Sequence, residues 1–399
     1  MRGARRGDCR PTRRNLYILV RRWWEMKNQE VQHGRGFTGD KTAWVRLARR
    51  AILDLLEDEL AVVHAELEAR LFEGGAPVDG TPIHFDPHIL TDALRELRTL
   101  GAVSEIPHIT KGLVPTTVLV PADQRRRATY IRQAVRRKAM LYTRFLRLAN
   151  QKMGPVGEEV VRASLVNAGP HLRPMTAGYG EVHRVMGVTL TGALDSGAWL
   201  HTIDPATELP RLAHALPIET KNRRLVLYPI HKEVHQLLSK AATMQAKHPA
   251  YPVVPVLVCR RAHPWLFWMA KDLGFLVHET KRQFTTLIKG ITGRHLQEIR
   301  DELFLRDLTL VTKTQMPLIR EFFERTVLKT AHTAAHRWSA AAPVVSVYAA
   351  KLRVDDVGSA TRQEIIRDLR QHLEQVMPLA GFDEPFLSWS LPDLEDIPD

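Results

Sequence analysis

Three residues carry the most specific chemistry in this chain. Asp195 lies in Ala193-Leu194-Asp195-Ser196-Gly197, and Glu219 and Lys221 lie in Pro217-Ile218-Glu219-Thr220-Lys221-Asn222. Residues i and i+2 of a strand share a face. Glu219 and Lys221 therefore point one way, and Ile218 and Thr220 the other. Two carboxylates and an ammonium on adjacent strands suit attack on a phosphodiester, whose charge grows in the transition state. A hard divalent cation held by the acids offsets that charge and activates water. The lysine can orient the water or stabilise the developing charge. Oxygen donors alone favour Mg²⁺, with Mn²⁺ as a substitute. Packing two such acids together without a cation is costly. The plainer alternative is an edge-strand ion pair of Glu219 with Lys221 and a surface Asp195.

The elements that must position these groups follow in order. Residues 157–167 read as a helix closed by Gly169, with Glu158, Val161 and Leu165 on one face and Glu159 competing with Glu158 for the same role. Residues 181–190 and 194–202 have strand-like content. After the Glu219 strand come a helix at 231–246, an apolar run at 253–259 that reads as a buried strand, a helix at 264–273 and a strand at 275–277.

Over about residues 154–285 this order and the Asp195, Glu219-Thr220-Lys221 set resemble the PD-(D/E)XK, or restriction-endonuclease-like, nuclease superfamily. The resemblance implies an α/β nuclease core, a mixed central sheet flanked by helices. It implies Asp195 and Glu219 as Mg²⁺ ligands, Lys221 as the catalytic lysine, Glu158 as the first-helix glutamate and Gln236 as the polar residue of the following helix. One departure is Leu194, which stands where the family pattern has proline. The expected activity is metal-dependent DNA endonuclease cleavage in restriction, defence or mobile-element settings. The competing readings are a non-catalytic DNA-binding regulator or scaffold with a nuclease-like core, and a structure-specific junction or RNA nuclease.

Upstream, helical spacing starts at Lys41 and a second helix covers 61–71, ended by Gly74-Gly75. A third opens at Asp86-Pro87, an N-cap followed by a first-turn proline, and closes at Gly101. Strands at 102–106 and 116–120 flank a loop. This layout resembles a winged helix-turn-helix, with Arg95, Arg98 and Lys111 as the implied DNA contacts. Residues 123–150 form a basic helix whose Arg132, Arg136 and Arg137 could lie along phosphates. The expected division is a basic arm at 1–40, the winged unit at 41–122, the connecting helix at 123–150, the nuclease core at 151–290 and a mostly helical region at 291–399 with an acidic tail. Residues 344–354 read as a strand within it.

Charge supports a polyanionic partner. The net charge of +13 is unevenly spread. Residues 1–50 hold 14 basic and 4 acidic residues, 51–100 hold 3 and 11, and 101–150 hold 10 and 2. Basic blocks bind polyanions by releasing counterions, and DNA is the expected partner. Two cysteines, Cys9 and Cys259, make neither a disulfide framework nor a cysteine zinc site. No apolar run approaches the roughly 20 residues of a membrane span, and residues 16–20 are too short for a signal-peptide core. The expectation is a cytoplasmic protein with no membrane partner, acting as a homodimer; translation from Met26 would shorten the arm. Histidine pairs at His231/His235 and His332/His336 have zinc-compatible i, i+4 spacing but lack the zincin glutamate position. Arg260-Arg261, at the end of the buried strand, suggest a phosphate contact or a solvated pair. Trp265, Phe267 and Trp268 read as core.

Overall fold

The computed structural model describes residues 41–386 and 389, apart from 79–80, 109–115, 124–126, 176–180 and 313–315. The arm at 1–40, Lys111 and the acidic tail at 391–399 lie outside the described residues.

Helix α1 (Lys41–Glu59) buries Trp44, Ala48, Ile52 and Leu56 at helical spacing. Strand β1 (Val62–Val63) and helix α2 (His64–Glu68) follow, and a wider π turn prolongs the helix to Gly75. A hairpin of β2 (Ala76–Val78) and β3 (Thr81–Ile83) precedes α3 (Pro87–Thr99). Strands β4 (Val103–His108) and β5 (Thr116–Pro121) then form an antiparallel sheet ordered β1-β5-β4. The expected three helices and two strands are present. The small β1 strand and the β2–β3 hairpin escaped notice, because strands of two or three residues leave no periodic trace.

Helix α4 (Ala128–Leu148) carries the basic block, and a π turn at Ala149–Met153 leads into α5 (Gly154–Val166). Next come β6 (Leu172–Pro174), the β7 (Val182–Val185) and β8 (Val188–Leu194) hairpin, β9 (Ser196–Leu200) and the long β10 (His214–Leu227). Helix α6 (Lys232–Lys247), β11 (Val256–Ala262), α7 (Pro264–Leu273) and β12 (Leu276–Glu279) complete the central unit. The central sheet is mixed and ordered β12-β11-β10-β9-β6. Strands β10, β11 and β12 run parallel, while β9 is antiparallel to both β10 and β6.

Helices cover both faces, which explains the nearly unbroken apolar run of β11. Val256 and Val258 pack with Leu216, Ile218 and the α5 residues Val156, Val160 and Val161. Leu257 and Cys259 pack on the other face with Val234, Leu237, Leu238 and Ala241 of α6. Each such side chain, fully buried, stabilises the fold by about 1.5–3 kcal/mol. Gly157 sets the spacing of the first layer. A Cβ there would sit 2.5 Å from Asn222 Cβ, so only glycine lets α5 lie this close to β10. Asn222 in turn stitches the layers together. Its Nδ2 donates to Met153 O and Phe284 O, and its Oδ1 accepts from Phe284 N.

The remainder comprises β13 (Gln283–Thr285), α8 (Gly293–Glu302), β14 (Leu308–Leu310), α9 (Pro317–Glu321), α10 (Leu328–Leu352) and α11 (Ser359–Val376). The strand expected at 344–354 is instead the end of α10. Its valines mimic a strand, but Trp338, Ala341, Ala342, Val345, Ala349 and Leu352 recur at helical spacing and bury one face in the core shared with α6. Pro343 is exposed on the opposite side of this helix. The parallel pair β13–β14, which joins the end of the expected core to the region read as mostly helical, was also unforeseen.

Candidate active site

Asp195 occupies the single residue between β8 and β9, where the chain leaves the β7–β8 hairpin and enters the central sheet. Ser196 pairs with Ile218, so the register sets Asp195 beside Glu219. Its Oδ2 accepts the Thr220 backbone N–H at 2.7 Å. From α5, Arg162 donates to the Asp195 carbonyl at 3.0 Å, and Glu158 lies 3.6 Å from Arg162.

The Lys221 ammonium lies 2.8 Å from Glu219 Oε1 and 3.8 Å from Asp195 Oδ2. The three residues expected to act together are therefore joined at one place, supplied by β10 and the break before β9. A fourth group was missed. Lys240 of α6 reaches Glu219 Oε2 at 3.0 Å and also donates to the Ala193 carbonyl. Gln236 sits one helical turn earlier and is partly exposed. The signal for Lys240 was present in the sequence: a lysine flanked by Leu237, Leu238, Ala241 and Ala242, all of which are buried. A charge on the apolar face of a helix needs a partner.

The electrostatics are uneven. Burial first, and then the neighbouring Glu219 charge, push the Asp195 carboxyl up to about 6, against the opposing pull of Lys221 and the Thr220 N–H. Glu158 adds to the upward push. Burial alone would lower Lys221, but Glu219 and Asp195 hold it above its ordinary value. Asp195 thus sits where negative charge is under-compensated. Two carboxylates offering oxygen donors in a part-buried setting fit a hard divalent cation.

The expected DNA contacts are spread more widely. Arg95 pairs with Asp92 at 3.2 Å, and Arg98 pairs with Glu105 beside His64. Arg132 and Arg136 are exposed on α4. Arg137 is exposed too but is held by Glu302 of α8. Lys138 is buried between Glu59 and Glu66 and donates to the Glu302 carbonyl. Lys138 therefore faces acids of the preceding block, and Arg137 and Arg144 face acids of α8.

Other candidates resolve differently. Arg260 is neither a phosphate contact nor solvated: it is fully buried between Glu73 and Asp307. Trp265 is buried as expected, whereas Phe267 is about one-third exposed. His231 Nδ1 accepts the Tyr228 N–H at 2.9 Å, and His235 bonds Pro229 O at 2.7 Å, so both hold backbone. Among the described residues, the side chains that could together hold a metal ion through three ligand atoms are Asp86, His88 and His263. No helix among the described residues is long and apolar enough to cross a membrane.

Compared with known proteins, the chain matches no family model, no curated protein and no solved structure.

Proposed function

We propose that this protein is a metal-dependent DNA endonuclease with a PD-(D/E)XK-like core, preceded by a winged-helix-like DNA-binding unit. The observation that carries this reading is the convergence of Asp195, Glu219 and Lys221, with one ammonium within 3.8 Å of both acids. Asp195 and Glu219 would hold Mg²⁺ or Mn²⁺. Such a cation offsets charge on the scissile phosphate and lowers the pKa of bound water. Lys221 would orient the attacking water or steady the growing negative charge. The Thr220 N–H fixes the Asp195 carboxylate, and Lys240 anchors Glu219 from the helix behind it. Arg132 and Arg136 would contribute ground-state DNA affinity without touching the reacting atoms. A homodimer in the cytoplasm remains part of this reading.

One observation favours the non-catalytic alternative, a DNA-binding scaffold. Both Glu219 oxygens are already engaged by lysines of the chain. A plasmid nicking assay with Mg²⁺ or Mn²⁺, with chelator, and beside a gel-shift on the same preparations separates the two. Wild type should cut, and Asp195→Ala or Lys221→Ala should lose on the order of 10²–10³-fold in rate with binding intact. Equal cutting by wild type and Asp195→Ala places the activity elsewhere. Tight binding with no cleavage of duplex, junction or RNA under either metal establishes the scaffold.

A further inference from the structure

Away from the acid pair, a second cluster joins two distant parts of the chain. Asp86 is the N-cap of α3 and His88 lies in that helix's first turn, while His263 is the N-cap of α7. One ligand atom from each lies within 4.8 Å of the other two. His263 Nε2 is 4.0 Å from Asp86 Oδ2. His88 Nδ1 is buried and meets no hydrogen-bond partner among the described residues. Aromatic rings wall the cluster: Tyr228 stacks on His263 at 4.5 Å, and Trp265 lies 3.9 Å from His263 and 5.8 Å from His88.

We infer that Asp86, His88 and His263 form a zinc-class metal site that ties the N-terminal region to the central sheet. The donor set decides the metal class. Two imidazole nitrogens and one carboxylate suit Zn²⁺ and its transition-metal neighbours, whereas Mg²⁺ and Ca²⁺ take oxygen. Both helices direct their positive N-terminal ends at the cluster, which opposes a cation. The Asp86 carboxylate offsets that field, and this explains why an acid accompanies the two histidines. Tetrahedral zinc with bonds near 2.0–2.1 Å would draw the three donors to about 3.3 Å from one another. Ligation through His263 Nε2 puts the ring proton on Nδ1. The long 3.4 Å bond that Nδ1 now accepts from the Trp265 N–H would then be given up. The fourth position is open to water. Metal bound only by the folded state stabilises it by mass action, here across two segments remote in sequence.

The test uses the full chain in an Asp195→Ala background, which removes the acid-pair site as a competing zinc ligand. Metal-free protein is exposed to Zn²⁺, dialysed, and assayed for retained zinc and thermal midpoint. A parallel sample takes Co²⁺ and is read by visible absorption. Retention of about one equivalent is expected, with a raised midpoint and a tetrahedral-type Co²⁺ band. His88→Gln, which keeps size and polarity, should weaken retention about tenfold or more while leaving the metal-free midpoint nearly unchanged. Asp86→Asn should weaken it in the same direction. No retained zinc in the parent, or retention by His88→Gln and His263→Gln undiminished from the parent's, overturns the site and leaves a packing contact only.

Discussion

Two buried charge clusters in this protein share a nominal make-up of two acids and two bases, yet their aspartates shift in opposite directions. In one, Asp307 and Glu73 meet Arg224 and Arg260. Burial pushes Asp307 up, but the two arginines outweigh it and hold the carboxyl below its ordinary value. In the other, Asp195 and Glu219 meet Lys221 and Lys240, and Asp195 is raised to about 6. The contacts explain the contrast. Each Asp307 oxygen has its own arginine. Both lysines instead bond Glu219, and Asp195 is left with a backbone N–H and an ammonium 3.8 Å away. Arginine's planar fork satisfies several oxygens at once, whereas lysine is a single point charge. In the arginine cluster both Asp307 oxygens are already matched by guanidinium groups. The lysine cluster has room for more positive charge.

The contrast breaks most sharply at Glu73. Glu73→Ala leaves the buried Arg260 with one acid fewer, and should destabilise the fold by about 3–5 kcal/mol. Urea denaturation measures this, and the cleavage rate per folded molecule should not change. An unchanged denaturation midpoint would remove the distinction between a structural and a functional cluster.

A smaller effect lies at Asp195 itself. Its folded-state value, about 6, stands above the usual 3.8. The folded protein therefore holds the proton more tightly than the unfolded chain. Stability from this group is fully present below about pH 4 and is lost as pH rises through about 6. At pH 7 without metal, the ionised carboxylate should cost about 3 kcal/mol. Asp195→Asn should recover that amount at pH 7 and nothing at pH 4, since the amide oxygen can still accept the Thr220 N–H. Mg²⁺ should stabilise wild type at pH 7 and leave Asp195→Asn unmoved. Denaturation at the two pH values, with and without Mg²⁺, reads all four states.

The smallest effects concern the basic helix. Arg132→Ala and Arg136→Ala should each lower the salt slope of DNA binding by about one, because both side chains are exposed. Arg137→Ala should change it less, since Glu302 already occupies its guanidinium. Equal slopes for the three variants would show that the internal pair opens on binding.

The sequence disclosed what is periodic or local. The apolar run of β11 marked a strand covered on both faces, and the Asp86-Pro87 start of α3 followed from capping chemistry. The i, i+2 spacing put Glu219 and Lys221 on one face, and the structure adds Asp195 through the Ser196–Ile218 register. Side chains whose partners are remote in sequence could not be assigned. Lys240 meets Glu219, Arg260 meets Glu73, and His263 meets Asp86, each across a separation that no local pattern records. The charge blocks misled for the same reason. The acidic block at 51–100 supplies Glu59 and Glu66 to Lys138, so part of what read as a basic surface is neutralised inside the protein.

The reach of Glu73 into the core also bears on ancestry. A carboxylate from the N-terminal region completes a charge set whose other members lie on β10, β11 and the segment before β14. Recombination that exchanged this region for another unit would have to bring an acid to the same spot, or leave two buried guanidinium groups sharing Asp307 alone. Descendants of this chain should therefore inherit both regions together, with Glu73 changing in step with Arg224 and Arg260.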